Sequence, residues 1–544
     1  MRLSVLALAA TTQAFSIGGI IDTTSGPIRG QPSSLRSDVS EYLGIRYAKP
    51  PIDDLRFAAP VPPDRSTTVF NATAYRASMD HAFNVGPPGE KILSALAQRD
   101  KDCLSVNVWI KPQNGDRKKA VFFWIYGRDF KSGSSHTLTY DGSTLADEND
   151  LIVVTPNTRV NVFGYSGAPG QPWNVDNIAA FGGDPARITV GGISSGGLTA
   201  DILAYSNLHD PIAHAYIPHS GIASSYLATG AHNDQKVSTA AWYNLSSTVG
   251  CGDADSAHDT TVACMRAKPY PDLLAAMQQH PTKQSNFRPV EDDDTVPRDF
   301  ATQARKGRFA HKPLLTGSTD NELGFFLVIA LIKDNLTTEQ IAAFPVRLLQ
   351  PLMDLFALAS FSCPAAEAAQ YRADRGIPVW RYRYYGGEYT NTEVVPVGSA
   401  YHGSEAPMVF GTASVVTGMA DSEAEAQAGR YMRAAWAAFA KDPVGGLSGG
   451  EFQSDTRSLI QLSLGNQTKP TYISPSETDA MCPVLKSYDS VIDNLNIVFT
   501  AMGSDQGEEL GKELADIFYE PLDNEAAMRH ALDRIHEIAA SIRG

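Results

Sequence analysis

Two adjacent serines lie in a glycine-rich stretch with the pattern G-x-S-x-G. The stretch reads VGGISSGG from Val190 to Gly197. Gly192 and Gly196 flank Ser194 at the positions where side chains would collide in a sharp strand-to-helix turn, so this geometry selects Ser194 as a nucleophile. The backbone N–H of Ser195 would then face a developing oxyanion. The alternative is a glycine turn that carries two solvated serines.

A nucleophilic serine needs a base that takes its proton and an acid that orients the base. Two candidate acids, Asp320 and Glu322, lie in PLLTGSTDNELGFFL, where they would follow the carboxyl end of a strand. A surface carboxylate is the alternative interpretation for either one. The candidate base is His402, in the loop GSAYHGSEAP. Its rivals, His530 and His536, lie on predicted helices, where a solvated position is the simpler account.

The elements that must position these side chains are predicted by apolar runs. Ala120–Tyr126 and Leu151–Thr155 are continuous apolar runs bounded by polar loops, which suit strands buried on both faces of a mainly parallel sheet. A third run, Ile188–Val190, leads directly into the serines, and LTADILAYS after them has one apolar helical face. Trp380–Tyr384 alternates and predicts another strand. The serines therefore lie at a strand–turn–helix junction.

The other parts of the chain carry simpler signals. Short apolar runs alternate with Gly/Pro turns in the first hundred residues, which predicts small antiparallel strands. The middle, Ala223 to Pro351, has a mostly helical pattern. Two helices are predicted near the end of the chain by the helical spacing of Leu510, Leu514, Ile517 and Phe518 and of Met528, Ala531, Leu532, Ile535 and Ile542.

Composition and charge exclude several partners. The chain has 544 residues, 43% of them hydrophobic, which is ample for a large core. Its formal net charge of -15 argues against nucleic acid or an anionic membrane as a partner. No run after the first residues has the length of a transmembrane helix. Neither the cysteines nor the histidines have metal-ligand spacing, so we predict no metal and no cofactor.

The beginning of the chain predicts export. Residues 1–14 have a basic residue, a short apolar run and small residues near Ala14, as in a secretory signal peptide. An odd count of five cysteines in an exported protein predicts two disulfides and one remaining thiol. Four N-x-S/T sequons are candidate glycosylation sites in a secreted, extracellular protein: Asn71, Asn244, Asn335 and Asn466.

The motifs together resemble one family. YLGIRYAKPP, LRFAAP, DCLSVNVW, FGGDPARITVGGISSGG, GSTDNELGFF and YHGSEAPMVFG occur in the order found in type-B carboxylesterases/lipases, the cholinesterase-like α/β-hydrolases, and the chain is most similar to the fungal secreted members. The resemblance implies an α/β fold, in which helices flank a large, mainly parallel sheet and a small antiparallel sheet lies at the N-terminus. It implies a hydrolase domain over residues 15–490 and leaves 491–544 as a helical tail of unknown role.

The resemblance also assigns roles to individual residues. It makes Ser194 the nucleophile, Glu322 the acid and His402 the base of an enzyme that hydrolyses a small-molecule or lipid ester through an acyl-enzyme. It places the oxyanion hole at Gly127, Arg128, Asp129 and Ser195. It joins Cys251 to Cys264 and Cys363 to Cys482.

Four departures from the family pattern concern the activity. The oxyanion loop, Y-G-G-G-F in the family, is Tyr126–Phe130 with Arg128 and Asp129 in place of two glycines, and we expect these two side chains to neutralise one another in part. Ile193 replaces the usual Glu before the nucleophile. Ser78 stands where the partner of Cys103 belongs. About a dozen residues of a helix are missing between Val175 and Asp176. A catalytically impaired or inactive family member that acts as a binding protein is therefore the alternative to an active esterase.

Overall fold

The computed structural model describes residues 16–76, 102–112, 118–165, 177–206, 208, 211–225, 234–279, 287–293, 295–324, 326–327, 346–386, 389, 400–454, 456–488, 491–501, 507–518, 522 and 524–543. The predicted signal peptide, residues 1–14, lies outside this part of the chain. Ser78 and Asn335 also lie outside it, and so does the site of the predicted deletion.

The strands in the described residues make up two sheets. In chain order they are β1 Ile20–Thr23, β2 Gly26–Arg29, β3 Gln31–Pro32, β4 Ser40–Arg46, β5 Phe70–Asn71, β6 Ser105–Ile110, β7 Lys119–Ile125, β8 Ile152–Pro156, β9 Gly183–Ile193, β10 Ala215–His219, β11 Leu314–Thr319, β12 Val379–Tyr384, β13 Leu459–Leu462 and β14 Thr471–Ile473.

One large sheet contains eleven of these strands, in the order β14-β13-β12-β11-β10-β9-β7-β8-β6-β4-β3. The seven strands from β13 to β8 in this order pair in parallel, and the pairs at both ends of the sheet are antiparallel. The prediction of a large, mainly parallel sheet is confirmed. Because neighbouring parallel strands end at the same edge, the chain segments that follow β9, β10 and β11 lie side by side.

The small sheet has the order β1-β2-β5. Its first pair is antiparallel, as predicted, but β5 runs parallel to β2. The expectation of antiparallel strands is wrong for this second pair. The reason is the length of the connection: residues 30–69 separate the two strands, which is long enough to return the chain to the same end of the sheet.

The helices in the described residues lie between the later strands of the large sheet and after its last strand. They are α1 Ser143–Asn149, α2 Asn161–Gly164, α3 Ser195–Ser206, α4 Gln235–Thr248, α5 His258–Ala267, α6 Tyr270–Gln279, α7 Phe300–Arg305, α8 Val346–Ala357, α9 Cys363–Ala373, α10 Ala406–Phe410, α11 Ala413–Thr417, α12 Glu423–Lys441, α13 Ser476–Asp479, α14 Cys482–Lys486, α15 Val491–Ala501, α16 Gly507–Ile517 and α17 Glu525–Arg543. A π-helical segment, Leu358–Ser362, joins α8 to α9.

Burial explains how well each strand was predicted. The apolar runs correspond closely to β7, β8 and β12. In contrast, β9 begins five residues before the predicted run Ile188–Val190 and ends at Ile193. Its first half is polar and partly exposed, and only its second half is buried in the core. The apolar pattern of the sequence therefore indicates only the buried half of the strand.

The tail contains one more helix than predicted. Leu510, Leu514 and Ile517 are buried on α16, and Met528, Leu532 and Ile535 are buried on α17, at the predicted spacing. The additional helix, α15, buries Leu495 and Val498 in the same apolar cluster. The cluster also includes Leu352 and Leu355 of α8, so the tail packs directly onto this helix.

Among the described residues, one helical stretch, Gln350–Ala373, is long and apolar enough to cross a membrane, since an 18-residue window in it has a mean hydropathy of 1.2. Half of this window is buried inside the protein. A mostly apolar helix that packs in the core of a water-soluble protein has the same length and composition, so a single such helix is weak evidence for a membrane span.

Two disulfides lie in the helical regions. Cys251 is joined to Cys264, and Cys363 to Cys482, with Cα–Cα distances of 5.4 Å in both. These are the pairings that the family resemblance implies. The second bridge closes 119 residues of chain and fixes the end of the π-helical segment to α14.

A buried ion pair fixes the helix that follows the serines. Asp201 on α3 lies 2.5 Å from Arg372 on α9, and both side chains are almost completely buried. Asp201 also accepts the N–H of Ala223 at 2.9 Å. The pair therefore joins α3, α9 and the loop after β10. Because a buried charge without its partner is costly, this pair is sensitive to the loss of one member.

We predict that Asp201→Ala lowers the free energy of unfolding by about 3–5 kcal/mol, because Arg372 is left as an uncompensated buried charge. The wild type, Asp201→Ala and the double variant Asp201→Leu/Arg372→Met are compared by urea unfolding. The double variant should be more stable than Asp201→Ala, since no buried charge is left in it. A double variant no more stable than Asp201→Ala would contradict this interpretation.

Candidate active site

Ser194 lies at the turn between β9 and α3, as the G-x-S-x-G pattern predicts. Its backbone has φ of +58°, in the left-handed region. The turn packs closely against the end of β7, because a Cβ atom on Gly196 would lie 2.1 Å from the carbonyl oxygen of Ile125. The N–H of Ser194 donates to the carbonyl of His219 at 2.9 Å. The turn is therefore held between the ends of β7 and β10.

The two serines have different surroundings. Ser194 is partly exposed, whereas Ser195, the first residue of α3, is buried. The Oγ atom of Ser195 accepts the backbone N–H of Phe130 at 3.3 Å. Its hydroxyl thus joins the turn to the neighbouring loop, and Ser194 is the more exposed of the two serines.

The two candidate acids are separated by their contacts. Glu322 is 1% exposed, and its Oε1 atom accepts the Ser220 hydroxyl and the N–H of Thr319, both at 2.7 Å. Asp320 has a side chain that is 36% exposed and pairs with Arg383 at 2.9 Å. Glu322 therefore points into the protein toward the histidine loop, and Asp320 points to the surface.

His402 contacts the remaining oxygen of this acid. Its Nδ1 atom lies 2.5 Å from Oε2 of Glu322. The contact is set by the backbone, because the N–H of Asn321 donates to the carbonyl of Ala400 at 2.9 Å, and Asn321 and Tyr401 form a parallel β-bridge. A proton on Nδ1, shared with the carboxylate, leaves Nε2 as the atom able to accept a proton.

The other side of the histidine ring is apolar. The rings of Phe326 and Phe361 lie 5.1 and 5.4 Å from the His402 ring, measured between centroids. Among the described residues the buried Nε2 atom has no hydrogen-bond partner. The next residue, Gly403, packs against Ile193, which directly precedes the serines. His402 and Ser194 are thus adjacent through their chain neighbours.

The rival histidines lie far from this arrangement in the fold. His530 and His536 are exposed on α17. Nδ1 of His536 lies 3.0 Å from the amide nitrogen of Asn494, on another tail helix.

The loop predicted to form the oxyanion hole keeps a backbone that suits glycine. Arg128, Asp129 and Phe130 have φ of +98°, +56° and +60°. Gly127 lies against the turn, since a Cβ atom there would be 2.7 Å from the Cβ of Ser194. The side chains of Arg128 and Asp129 have therefore been accommodated at left-handed positions, at a cost of about 1–3 kcal/mol for each residue.

The expected neutralisation of Asp129 by Arg128 is wrong. Asp129 pairs instead with Arg288 and Lys131, each at 2.7 Å, and its side chain is 49% exposed. Burial raises the pKa of Asp129, but the charges of Arg288 and Lys131 outweigh this effect and lower it below its ordinary value. Sequence could not reveal Arg288 as the partner, because it lies 159 residues further along the chain.

Two polar groups beside the site were not predicted from the sequence. Ser220, at the end of β10, donates to Glu322, and its neighbour His219 is completely buried. His219 Nδ1 lies 3.1 Å from Oε1 of Glu405, and its Nε2 accepts the indole N–H of Trp436 at 2.8 Å. A signal was available in PHSG after an apolar run, which has the same strand–turn form as the serine motif.

The predicted glycosylation sites differ in accessibility. Asn71 and Asn244 are exposed, and Asn466 is partly buried. Among the described residues, no group of three or more His, Cys, Asp or Glu side chains is arranged to hold a metal ion.

The sheet, the serine turn and the order of the motifs agree with the comparisons to known proteins. The carboxylesterase family profile matches residues 18–347 and 327–446. The chain belongs to the carboxylesterase family. It has the α/β-hydrolase fold and is a carboxylic ester hydrolase.

Similar proteins include several esterases. Chlorogenic acid esterase from Aspergillus niger is 29% identical over 486 residues, which cover 84% of this chain and 87% of that protein. Para-nitrobenzyl esterase from Bacillus subtilis (strain 168) is 28% identical over 460 residues, covering 78% of this chain and 89% of that protein. A solved structure of PNB esterase superposes with a TM-score of 0.68 at 25% identity, over 85% of this chain and 99% of that one.

The left-handed backbone of the loop leads to a stability prediction. Arg128→Gly should raise the free energy of unfolding by about 1 kcal/mol or more, because glycine adopts positive φ without the Cβ clash. The matched control is Arg128→Ala, which removes the guanidinium but keeps the Cβ atom and should give no such gain. Both are compared with the wild type by urea unfolding, and equal effects of the two substitutions would refute the strain.

Proposed function

We propose that this protein is a secreted carboxylic ester hydrolase that uses Ser194, His402 and Glu322 and forms an acyl-enzyme on Ser194. The observation that carries the proposal is the contact between Glu322 and His402 beside the turn of Ser194, which the packing of Gly403 against Ile193 brings close to the histidine. The 2.5 Å contact between His402 and Glu322 fixes the ring, and the open Nε2 atom faces no other partner among the described residues.

In the proposed acylation step, Oγ of Ser194 attacks the carbonyl carbon of the ester and gives its proton to Nε2 of His402. The carbonyl oxygen becomes an oxyanion. When the tetrahedral intermediate collapses, the bond to the alcohol oxygen breaks, and His402 returns the proton to the departing alcohol. A water molecule then repeats the sequence on the acyl-enzyme and releases the carboxylic acid and the free serine.

Glu322 acts on this reaction through the imidazole. Its Oε2 atom holds the ring by the Nδ1 contact and stabilises the positive charge that His402 carries in both steps. Its Oε1 atom is held by Ser220 and Thr319, so the carboxylate keeps its orientation. A carboxylate so fixed costs no reorganisation as the charge develops.

The proposed oxyanion donors are backbone N–H groups of Ser195 and of the loop Gly127–Asp129. Two contacts support them: the hydrogen bond from Phe130 to Ser195, and the close approach of Gly127 to Ser194. The loop has positive φ at Arg128 and Asp129, as a glycine-rich segment would, although both positions carry side chains. This favours an active enzyme over the inactive binding protein.

The relatives indicate the kind of substrate. Two of them are named as a chlorogenic acid esterase and a para-nitrobenzyl esterase. We propose a small organic ester as the substrate of this chain too. The Cys251–Cys264 and Cys363–Cys482 bridges, the sequons and the predicted signal peptide support export, and the boundary at residue 490 between hydrolase domain and tail stays a prediction.

The choice of nucleophile is tested by covalent labelling. Ser194→Ala should abolish labelling by a fluorophosphonate that reacts with activated serines, because it removes the proposed nucleophile. The matched control is Ser195→Ala, which removes a hydroxyl bound to Phe130 and should still be labelled. Labelling is read by peptide mapping, and an adduct retained on Ser194→Ala at any serine of this turn would rule out the assignment.

The choice of acid is tested by a pair of isosteric changes. Glu322→Gln should lower kcat by a factor of about 100 or more with little change in KM, because the amide no longer stabilises the imidazolium. Asp320→Asn alters a carboxylate of similar sequence position that faces Arg383 and should change kcat less than about threefold. Steady-state hydrolysis of a short-chain aryl ester gives both values, and a reversal of the two effects would move the acid role to Asp320.

A further inference from the structure

The loop beside Ser194 is positively charged in an acidic protein. The whole chain has a net charge of -15. In this loop and its ion-pair partners, however, three cations (Arg128, Lys131 and Arg288) accompany the single acid Asp129. Asp129 already contacts two of them, each at 2.7 Å. The third, Arg128, is an additional positive charge next to the proposed nucleophile.

Arg128 has no acidic partner of its own. Among the described residues no carboxylate lies within 4.0 Å of its guanidinium, and its side chain makes no hydrogen bond there. The side chain is partly buried, so it is not simply a solvated surface residue. A guanidinium presents five N–H donors, and its planar fork matches the two oxygens of a carboxylate.

The position of Arg128 brings it close to the reacting atoms. Gly127, its chain neighbour, packs against Cβ of Ser194. Its charge also acts on Tyr140: burial raises the pKa of this phenol to about 12, Arg128 opposes the rise, and Glu405 adds to it. Arg128 and Glu405, which follows His402 by three residues, are therefore both near this phenol.

Glu405 does not neutralise the guanidinium. Its side chain is completely buried, and its Oε1 atom contacts His219. No ion pair between it and Arg128 is found in the described part of the chain.

The residue before the nucleophile adds no negative charge that would oppose Arg128. It is Ile193, which is buried. The uncompensated charge of Arg128 makes the potential near Ser194 more positive, which favours an anion there.

The backbone conformation of Arg128 also indicates that its side chain has a function. With φ of +98°, the residue costs free energy that glycine would not. Strained backbone positions of this kind concentrate at ligand-binding and catalytic sites, where the side chain contributes to function.

We propose that the Arg128 guanidinium binds a carboxylate of the substrate, so that the enzyme prefers esters that carry a negative charge near the scissile bond. The proposal rests on the proposed ester hydrolysis at Ser194 and specifies its substrate class. The ester carbonyl would lie against Ser194 and the loop, with the substrate carboxylate a few bonds away on the acyl or the alcohol side. The alternative role, stabilisation of the oxyanion in every ester, predicts no dependence on substrate charge.

The test compares anionic esters with neutral esters of similar shape. Mono-para-nitrophenyl glutarate is paired with para-nitrophenyl pentanoate, which places the charge in the acyl chain. Para-acetoxybenzoate is paired with its methyl ester, which places the charge in the alcohol. The wild type should show a higher kcat/KM for the anionic member of at least one pair, and added salt should reduce this preference.

The variant Arg128→Gln keeps a side chain at the same strained position but removes the charge. It should lower the ratio of kcat/KM for the preferred anionic ester to kcat/KM for its neutral partner about tenfold, or about 1.4 kcal/mol. Arg128→Lys should restore part of the preference, since an ammonium keeps the charge but not the fork. The matched control for net charge is Arg430→Gln, an exposed residue on α12, which should leave both values unchanged.

Each outcome decides one of the two proposals. The carboxylate site is refuted, while ester hydrolysis stands, if the wild type prefers the neutral member of both pairs. The same holds if Arg128→Gln lowers kcat/KM for the anionic and the neutral ester by the same factor. If neither anionic nor neutral esters are hydrolysed by any variant, the proposed function fails, and the carboxylate site fails with it.

Discussion

The site depends on a close approach of backbone to backbone at the turn around Ser194. No side chain fits between Gly196 and the end of β7, where a Cβ atom would meet the Ile125 carbonyl at 2.1 Å. This contact forces the chain to reverse from strand to helix within one residue, with Ser194 at φ of +58°. Because the turn packs against β7 and β10, the loop after β7 and the end of β10 are placed relative to the serine by the same contact.

The parallel sheet supplies the remaining groups from its edge. The segments after β9, β10 and β11 bring Ser194, Ser220 and Glu322 to one side, since neighbouring parallel strands end together. His402 arrives from a distant segment and is held by the backbone pairing of Asn321 with Ala400. The buried acid thus has three fixed hydrogen-bond partners, and its contact with Nδ1 leaves the Nε2 atom of His402 without a partner among the described residues.

The sequence predicted the features that depend on local patterns. The serine turn, the strands around it and the two apolar faces of α16 and α17 follow from spacing alone. The choice between Asp320 and Glu322 did not, because both follow the same strand, and only the resemblance and then the contacts with Arg383 and Ser220 separated them.

Other features could not be predicted because they join distant parts of the chain. Asp129 pairs with Lys131 and with Arg288, 159 residues away, so the expectation that it pairs with Arg128 was wrong. The His219–Glu405 contact spans 186 residues, and the parallel β2–β5 pair depends on the path of a long connection. The helix α15 was missed although Val491, Leu495 and Val498 have the i, i+4, i+7 spacing of a helix.

The central claim is that Ser194, with His402 and the loop Gly127–Asp129, forms one acyl-transfer site. The most direct measurement is a crystal structure after reaction with a phosphonate that mimics the tetrahedral intermediate. We expect phosphorus bonded to Oγ of Ser194. The phosphonyl oxygen should lie about 2.7–3.1 Å from the backbone nitrogens of Ser195 and of the loop. A phosphonate bonded to another side chain, or one whose oxygen points away from the loop, would contradict the claim.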